Sequence, residues 1–462
     1  MSTLIAVSGL GILSLLLEIL NLRKILVPVV VLGLAGILGM TLAEFYLDKS
    51  FLDIDSYNMV VGTGYSRGFS SLFIILTMFV IVMSPKFYAD RITKIADYVS
   101  LIIFMLAGAV AMVSFGNLSM FFIGIEVLSI SAYVLASSNP KDKKSNEAGM
   151  KYFIMGAFAS SFILFGIALV YGAIGSFDIQ TIIAISTAQA GHLPIWFNIG
   201  FVMIAVGLFF KAGVVPFHFW APDVYEGSPT LVTALMSTLV KVAAIGTLYK
   251  IFVIFSAGMT PVFQIVVVVL TILTLSVGNI TALRQRNLKR LMAYSGISHA
   301  GFMMMDLLSN GTGTNAILYY ACAYAFAGIA AFAVIMAVCG DKDEDISNIF
   351  GLAKDKLYLA GIFTCAMVSL GGIPIFAGFF AKLFMFSQMI DSGYLILVIF
   401  GVINSIIAIY YYFGTANVMF TKDSVRTEPL KVDVRYVIVA SIAIILNIVI
   451  GLFPSLIMGL SI

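Results

Sequence analysis

Five ionisable side chains lie inside long apolar runs where a surface charge has no business. Glu126 is the tenth residue of a run that begins at 117, Lys211 and Lys241 sit within the stretch 195 to 250, His299 is central in AYSGISHAGFMM, and Lys382 follows GGIPIFAGFFA. A lysine at the centre of a membrane helix costs roughly 2.5 to 3.5 kcal/mol, and such residues turn toward a protein interior or a wet cavity and mark ion paths. Facing lipid together, Glu126, Lys211, Lys241 and Lys382 would cost on the order of 10 to 14 kcal/mol, comparable with a domain's whole stability. They must therefore face inward. Their spacing fits neither a metal site nor a nucleophile with its base. One carboxylate, three amines and an imidazole at mid-membrane fit proton relay, because a neighbouring carboxylate can set whether a buried amine keeps its proton. Plainer readings stand beside this one. Lys211 and Lys382 are off-centre and long enough to snorkel to an interface, and His299 can be a hydrogen-bonded core residue. Asp223 and Glu226 can cap the next helix or gather protons.

The elements that must hold these groups follow from composition. Of 462 residues, 61% are hydrophobic and 11% charged, where soluble domains carry about 25% charged residues. Runs beyond ~18 apolar residues indicate spanning helices. The expected fold class is an all-α polytopic membrane protein with about fourteen spans, near 2–20, 25–43, 67–84, 97–115, 117–137, 152–174, 195–216, 230–253, 261–282, 291–308, 315–338, 357–390, 393–420 and 436–460. The first run has no basic residue before it and no convincing cleavage pattern, so it reads as a span rather than a signal peptide. If loops alternate sides, all the Lys and Arg fall in one set of loops except Lys49, Arg67, Lys250, Lys211, Lys241 and Lys382. That bias is the positive-inside pattern, and it places both termini outside the cytoplasm. The loop 44–66, with Glu44, Asp48, Asp53 and Asp55 against Lys49, suits the outer face. Cys322, Cys339 and Cys365 have no paired or ligand-like spacing and read as small apolar residues. No stretch has the pattern of a nucleotide, flavin, haem or iron–sulfur site, and nothing suggests a nucleic-acid partner.

Two spans are irregular. The seventh runs through Pro216 into PFHFWAPD, and a proline inside a helix removes one backbone bond and clashes with the preceding turn. The twelfth, 357–390, would be about 51 Å long as one helix, against a hydrocarbon core of ~30 Å. Gly371, Gly372 and Pro374 supply its break. The two spans lie five apart, so they run in opposite directions, and each pairs a proline break with a lysine. Two five-helix units of inverted topology would look like this. The domain organisation expected is 1–94 for spans 1 to 3, 95–255 for the first unit, 256–421 for the inverted second, and 422–462 for the last span.

Five stretches carry a resemblance. Lys211 with PFHFWAPDVYEGSPT, the run FIGIEVLSISAYVL, EAGMKYFIMGAFASSFILFG from Glu147, NLKRLMAYSGISHAG from Asn287 and GGIPIFAGFFAKLF from Gly371 resemble the antiporter-like membrane subunits of respiratory complex I over about residues 95 to 420. Within that family, Lys382 stands where subunit M is expected to carry Glu, and the long C-terminal extension expected of subunit L is missing. Ile375 departs from the pattern, which often has a second proline there. The resemblance implies that Glu126 and Lys211 are the paired carboxylate and amine of a first half-channel, Lys241 the central relay, His299 a link on the axis, and Lys382 the terminal lysine of the second half-channel. Lys151, Lys289 and His218 are secondary candidates, with solvated anchoring as the plain reading of the two lysines. It also implies a translocase subunit of the bacterial inner membrane with no redox centre of its own. NAD, FMN, iron–sulfur clusters and quinone would belong to other subunits, and the neighbours would be subunit M and the small membrane subunits. A subunit of a multi-subunit cation/proton antiporter, or a purely structural membrane subunit, are the competing readings.

Overall fold

The computed structural model describes residues 1–52, 57–89, 95–189, 192–256, 260–309, 313–340, 343–426 and 429–460. Among them the chain is helical throughout, and each of the fourteen expected intervals holds a helix or a broken pair. The helices are α1 Ser2–Ile19, α2 Arg23–Leu47, α3 Gly64–Tyr88, α4 Ile95–Ser114, α5 Leu118–Ala136, α6 Lys143–Ile174, α7 Ile179–Ala188, α8 Ile195–Ala212, α9 Trp220–Gly227, α10 Thr230–Leu235, α11 Lys241–Ile254, α12 Pro261–Ala282 and α13 Leu288–Met304. Then come α14 Thr314–Cys339, α15 Leu352–Asp355, α16 Leu357–Gly371, α17 Ala377–Asp391, α18 Leu395–Thr421, α19 Val434–Leu452 and α20 Ser455–Met458. Among the described residues, twelve uninterrupted helical stretches, that from Thr230 to Ile254 included, are long and apolar enough to cross a membrane. The short α7 was not expected. Asp178 starts it by accepting from the Thr181 amide.

Two stretches form the axis of the bundle: the apolar windows of Thr230–Ile254 and of α14 are buried throughout. A helix that is apolar on every side and wrapped by others belongs in a core. The peripheral helices turn large apolar side chains outward, such as Leu32, Phe158 and Ile406, which suits a hydrocarbon surround. Cys322 and Cys339 are buried and Cys365 partly so, all as free thiols.

Both breaks are made by glycine rather than by proline. Helix α8 ends on Gly213 at φ 76°, and α16 ends on Gly372 at φ 84°, left-handed conformations that cost glycine little. Pro216, whose peptide bond to Val215 is cis, and Pro374 lie in the connections that follow. Ile375 has φ 89°, a value closed to proline, whose ring holds φ near −65°. Helix α19 braces the second break, since Gly451 packs against the backbone of Phe376 and Ala377 with no room for a Cβ. Asn447 accepts from Ser369 (2.8 Å) and donates to the Ala323 carbonyl (2.8 Å).

One local motif occurs twice. Asn117 caps α5 through the Ser119 amide and forms an isolated bridge with Asp178; Asn287 caps α13 through the Arg290 amide and bridges Asp345. In each, the first helical amide reaches across to a carbonyl, Leu118 to Phe177 (2.9 Å) and Leu288 to Glu344 (2.8 Å). Gly108 of α4 meets Gly124 and Leu128 of α5, as Gly278 of α12 meets Tyr294 and Ser298 of α13. The two copies stand at opposite ends of the bundle.

Three charges differ from their expected settings. Glu44 belongs to α2 rather than to a loop, is buried, and accepts from Ser2 and from the Phe51 amide. Arg67 is buried and paired with Asp48 at 2.8 Å. Lys250 donates to the carbonyls of Val113 (3.1 Å) and Phe115 (2.5 Å), closing the end of α4. Asp53 and Asp55 lie outside the described residues.

Candidate functional site

The three mid-span lysines and His299 are all buried, with exposures of 4% for Lys211, 2% for Lys241, 5% for Lys382 and 4% for His299. Snorkelling is thereby excluded for Lys211 and Lys382. Lys211 is the penultimate residue of α8, just before Gly213 turns the chain. Its amine donates to Ser129 of α5 at 2.7 Å and lies 5.2 and 5.1 Å from the ring centres of Tyr133 and Tyr152. Tyr152 stacks on Trp220 at 4.6 Å, and the Trp220 indole donates to the Phe210 carbonyl (2.9 Å). Two aromatic faces thus steady a cation that has a single hydrogen-bond acceptor among the described residues.

Glu126 does not close an ion pair with Lys211. It lies one turn before Ser129, half-buried, and its Oε1 has no hydrogen-bond partner among the described residues, although its charge reaches Lys211. Neighbours on its side of α5, Ile123, Ile130 and Val134, are exposed. Ser129 therefore stands where direct pairing was expected.

Lys241 opens α11 immediately after a five-residue π-helical turn, Met236–Val240. Such turns are rare and gather at functional positions. No residue pattern in the chain announces this one. Two glycines leave space for the amine: a Cβ at Gly296 would stand 3.1 Å from Nζ, and one at Gly213 would stand 3.6 Å away. Lys241 Nζ has no hydrogen-bond partner among the described residues. His218, buried in the connection after α8, is close enough for its charge and that of Lys241 to interact.

His299 continues the line. Its Nδ1 is 2.8 Å from the Tyr320 hydroxyl and its Nε2 3.2 Å from that of Tyr412, which also bonds Ser295. The ring packs on Tyr324 at 4.9 Å, and Tyr324 donates to the Ser237 carbonyl (3.0 Å) inside the π turn. His299 is within electrostatic reach of both Lys382 and Lys241. Behind Tyr412, Tyr411 donates to Asn279 (3.1 Å), which donates to Asn404 (3.1 Å), tying α12 to α18. These tyrosines and asparagines escaped the sequence reading, because singly placed polar groups in apolar helices look like packing.

Lys382 lies beyond the break, on α17, whereas Lys211 lies before its own. The amine donates to the Gly371 carbonyl at 2.9 Å and lies 4.9 Å from the Phe302 ring centre. A Lys382 amine thus satisfies the carbonyl that the break at Gly372 sets free.

At the end of the bundle where α6 and α13 begin, charges interlock. Arg290 donates to Asp223 (2.8 Å) and Glu226 (2.9 Å), and Lys151 pairs with Glu147 (2.7 Å) and Asp223 (3.2 Å). Burial works against the Asp223 charge, but Arg290 and Lys151 outweigh it and hold the carboxyl below its ordinary range. Neither Asp223 nor Glu226 caps α10, which starts from Pro229 without a side-chain cap. Lys289 is no solvated anchor: it is buried, pairs with Glu344 at 3.1 Å and donates to the Ser228 carbonyl at 2.9 Å. Lys151 is half-exposed, as an anchor would be.

The site therefore offers a succession of proton-bearing groups across buried space, with no cluster of three or more His, Cys, Asp or Glu able to hold a metal among the described residues. Comparison with known proteins identifies the family and the fold. The family described as NADH:quinone oxidoreductase/Mrp antiporter, TM, matches residues 116–408. The NADH-quinone oxidoreductase subunit N of Flavobacterium johnsoniae is 53% identical over 468 positions, covering 100% of both chains. A chain in the structure of respiratory complex I from Thermus thermophilus with bound aureothin is 29% identical, with a TM-score of 0.85 over 99% of this chain and 98% of that one. A chain of the Mrp complex from Dietzia sp. DQ12-45-1b gives a TM-score of 0.88 over 100% of this chain and 96% of that one, at 20% identity, a likeness of fold alone.

Proposed function

Since this chain belongs to the NADH:quinone oxidoreductase/Mrp antiporter family, and within it to the subunit N group, we propose that it moves protons along its buried polar line in the membrane arm of complex I. The oxidoreductase chemistry of NADH, FMN, iron–sulfur clusters and quinone belongs to other subunits; this chain's residues hold and pass protons. The observation that carries the reading is Lys241: a buried central amine with no hydrogen-bond partner among the described residues, flanked by further buried amines at Lys211 and Lys382. A structural lysine would be expected to spend its donors, since an unpaired buried charge is costly. The order of transfer is Glu126, Lys211, Lys241, His299, Lys382, with His218, Lys151 and Lys289 in supporting positions. Glu126, on the exposed side of α5, faces a neighbouring antiporter-like subunit, for which subunit M is the candidate, and so receives the lateral signal.

Two units of five helices, 95–255 and 256–421, carry the two half-channels in inverted sense. The twice-used Asn–Asp bridge at opposite ends of the bundle supports this division. The Asp223–Arg290 end faces the cytoplasm of the inner membrane and both termini face out, as the distribution of basic residues requires. An impermeant thiol reagent tests the orientation: Lys49→Cys should label from outside and Lys141→Cys from inside, and the reverse pattern overturns it.

Purification through a tag on this chain tests the assignment of complex. Flavin and iron–sulfur proteins should come with it in fixed ratio. Recovery with small antiporter subunits alone would establish the cation/proton antiporter reading instead.

A further inference from the structure

Beyond the line described above stands a carboxylic acid that it does not use. Asp306, in the 3-10 turn Met305–Leu308 that ends α13, has 0% exposure, and neither carboxyl oxygen has a hydrogen-bond partner among the described residues. The nearby Ser309 hydroxyl donates to the Asp306 main-chain carbonyl at 2.7 Å. Gly313 packs on the carboxyl so closely that no Cβ would fit. Two buried cations at this end are engaged elsewhere, Arg67 with Asp48 and Lys250 with two carbonyls, and Lys49 is exposed. The groups that face Asp306 from other helices are neutral. Tyr249 of α11 and Tyr65 of α3 are within electrostatic reach of it, their rings 5.9 Å apart. Tyr249 bonds Thr314 of α14 at 3.2 Å, and Tyr65 donates to the Gly246 carbonyl at 2.5 Å.

The position is ordered with respect to the relay. Asp306 is seven residues past His299, in the 3-10 turn that continues α13, and Tyr249 eight past Lys241 on α11, each about two turns and some 11 Å farther along. The layer Lys241–Tyr324–His299 is thus followed, away from the Asp223–Arg290 end, by a layer Tyr249–Thr314–Asp306 drawn from the same three helices. A buried carboxyl with no ion-pair partner and no direct hydrogen bond to its oxygens among the described residues is accommodated as the neutral acid, and a neutral acid can surrender a proton and take up another.

We propose that Asp306 is a proton-carrying group on the release side of Lys241 and His299, with Tyr249 as its positioning partner, giving this subunit an outward route of its own separate from Lys382. The proposal rests on the relay reading of Lys241. In each cycle an O–H bond forms on the Asp306 carboxylate as an N–H bond breaks upstream, and that O–H bond breaks as the proton passes to solvent; no electrons change hands.

The test uses the whole complex in sealed proteoliposomes, with proton uptake and quinone-coupled NADH oxidation followed together. Asp306→Asn, which keeps shape and polarity but carries no exchangeable acid, should slow proton transfer by at least about tenfold, as is expected of Lys241→Ala, and Asp306→Glu should restore it. Normal pumping by Asp306→Asn alongside failure of Lys241→Ala overturns this proposal and leaves the relay reading intact. Normal pumping by both removes the relay reading and this proposal with it. Should Asp306→Asn not assemble, Tyr249→Phe removes one hydroxyl only, and normal pumping by that variant overturns the proposal equally.

Discussion

Lys241 and Gly296 face each other at the centre of the bundle, and the amine occupies space that exists because residue 296 has no side chain. A Cβ there would stand 3.1 Å from Lys241 Nζ and 2.9 Å from the Tyr324 hydroxyl. Gly296→Ala would therefore push the amine and the phenol apart while leaving every charge in place. The expected outcome is an assembled complex with proton transfer slowed by about tenfold or more, since a misplaced proton donor loses the catalytic advantage of position. Proton uptake in proteoliposomes at the wild-type rate would show that this contact is packing only.

Tyr412 serves His299 and Ser295 at once. Tyr412→Phe removes one hydroxyl from that junction and leaves the Tyr411–Asn279–Asn404 chain standing. The stability cost should be about 1–3 kcal/mol, the usual range for stranding a buried partner, read as a modest fall in the melting temperature of the complex. Coupled turnover should fall further than that loss accounts for. Equal losses in both would assign Tyr412 a structural role.

Gly372 carries the second break at φ 84°, and a Cβ on it would meet Lys382 Cδ at 2.9 Å and Nζ at 3.1 Å. Gly372→Ala combines backbone strain with displacement of the lysine, a destabilisation of roughly 1–2 kcal/mol with reduced pumping. Gly361→Ala, on the first half of the same broken span and with open space around it, is the control and should leave both unchanged. Similar effects from the two substitutions would contradict the role given to the break.

The Asp223 carboxyl is held below its ordinary range against burial, by Arg290 and Lys151. A depressed folded value means that its contribution is fully present above the unfolded value of about 3.9 and is lost as pH falls through the folded value. The difference in melting temperature between the complex and its Asp223→Asn variant should be full at neutral pH and should close below about pH 4. A difference that stays constant through that window would show that the carboxylate's charge is not what ties α6, α9 and α13 together.

Much of this was legible in the chain. The hydropathic runs located the helices because an apolar helix surface is written continuously along the sequence, and the lysines announced themselves by the cost of burying them. Gly372 was picked out with Pro374, but Gly213 was overlooked in favour of Pro216, although both breaks are glycine C-caps. What escaped were features fixed by tertiary packing: the π turn before Lys241, Ser129 rather than Glu126 as the hydrogen-bond partner of Lys211, and the tyrosines that surround His299. Asp306 escaped for another reason. It sits at the end of a span, where a carboxylate reads as an ordinary loop charge until the neighbouring helices are seen to cover it.

The central claim is that Lys241 passes protons rather than merely filling the core. The most direct measurement is the number of protons moved per NADH oxidised by the reconstituted complex carrying Lys241→Ala, with assembly checked by its flavin and iron–sulfur content. A sharp loss of proton translocation in a fully assembled complex is the result expected. An unchanged proton-to-electron ratio in that same complex would contradict the account.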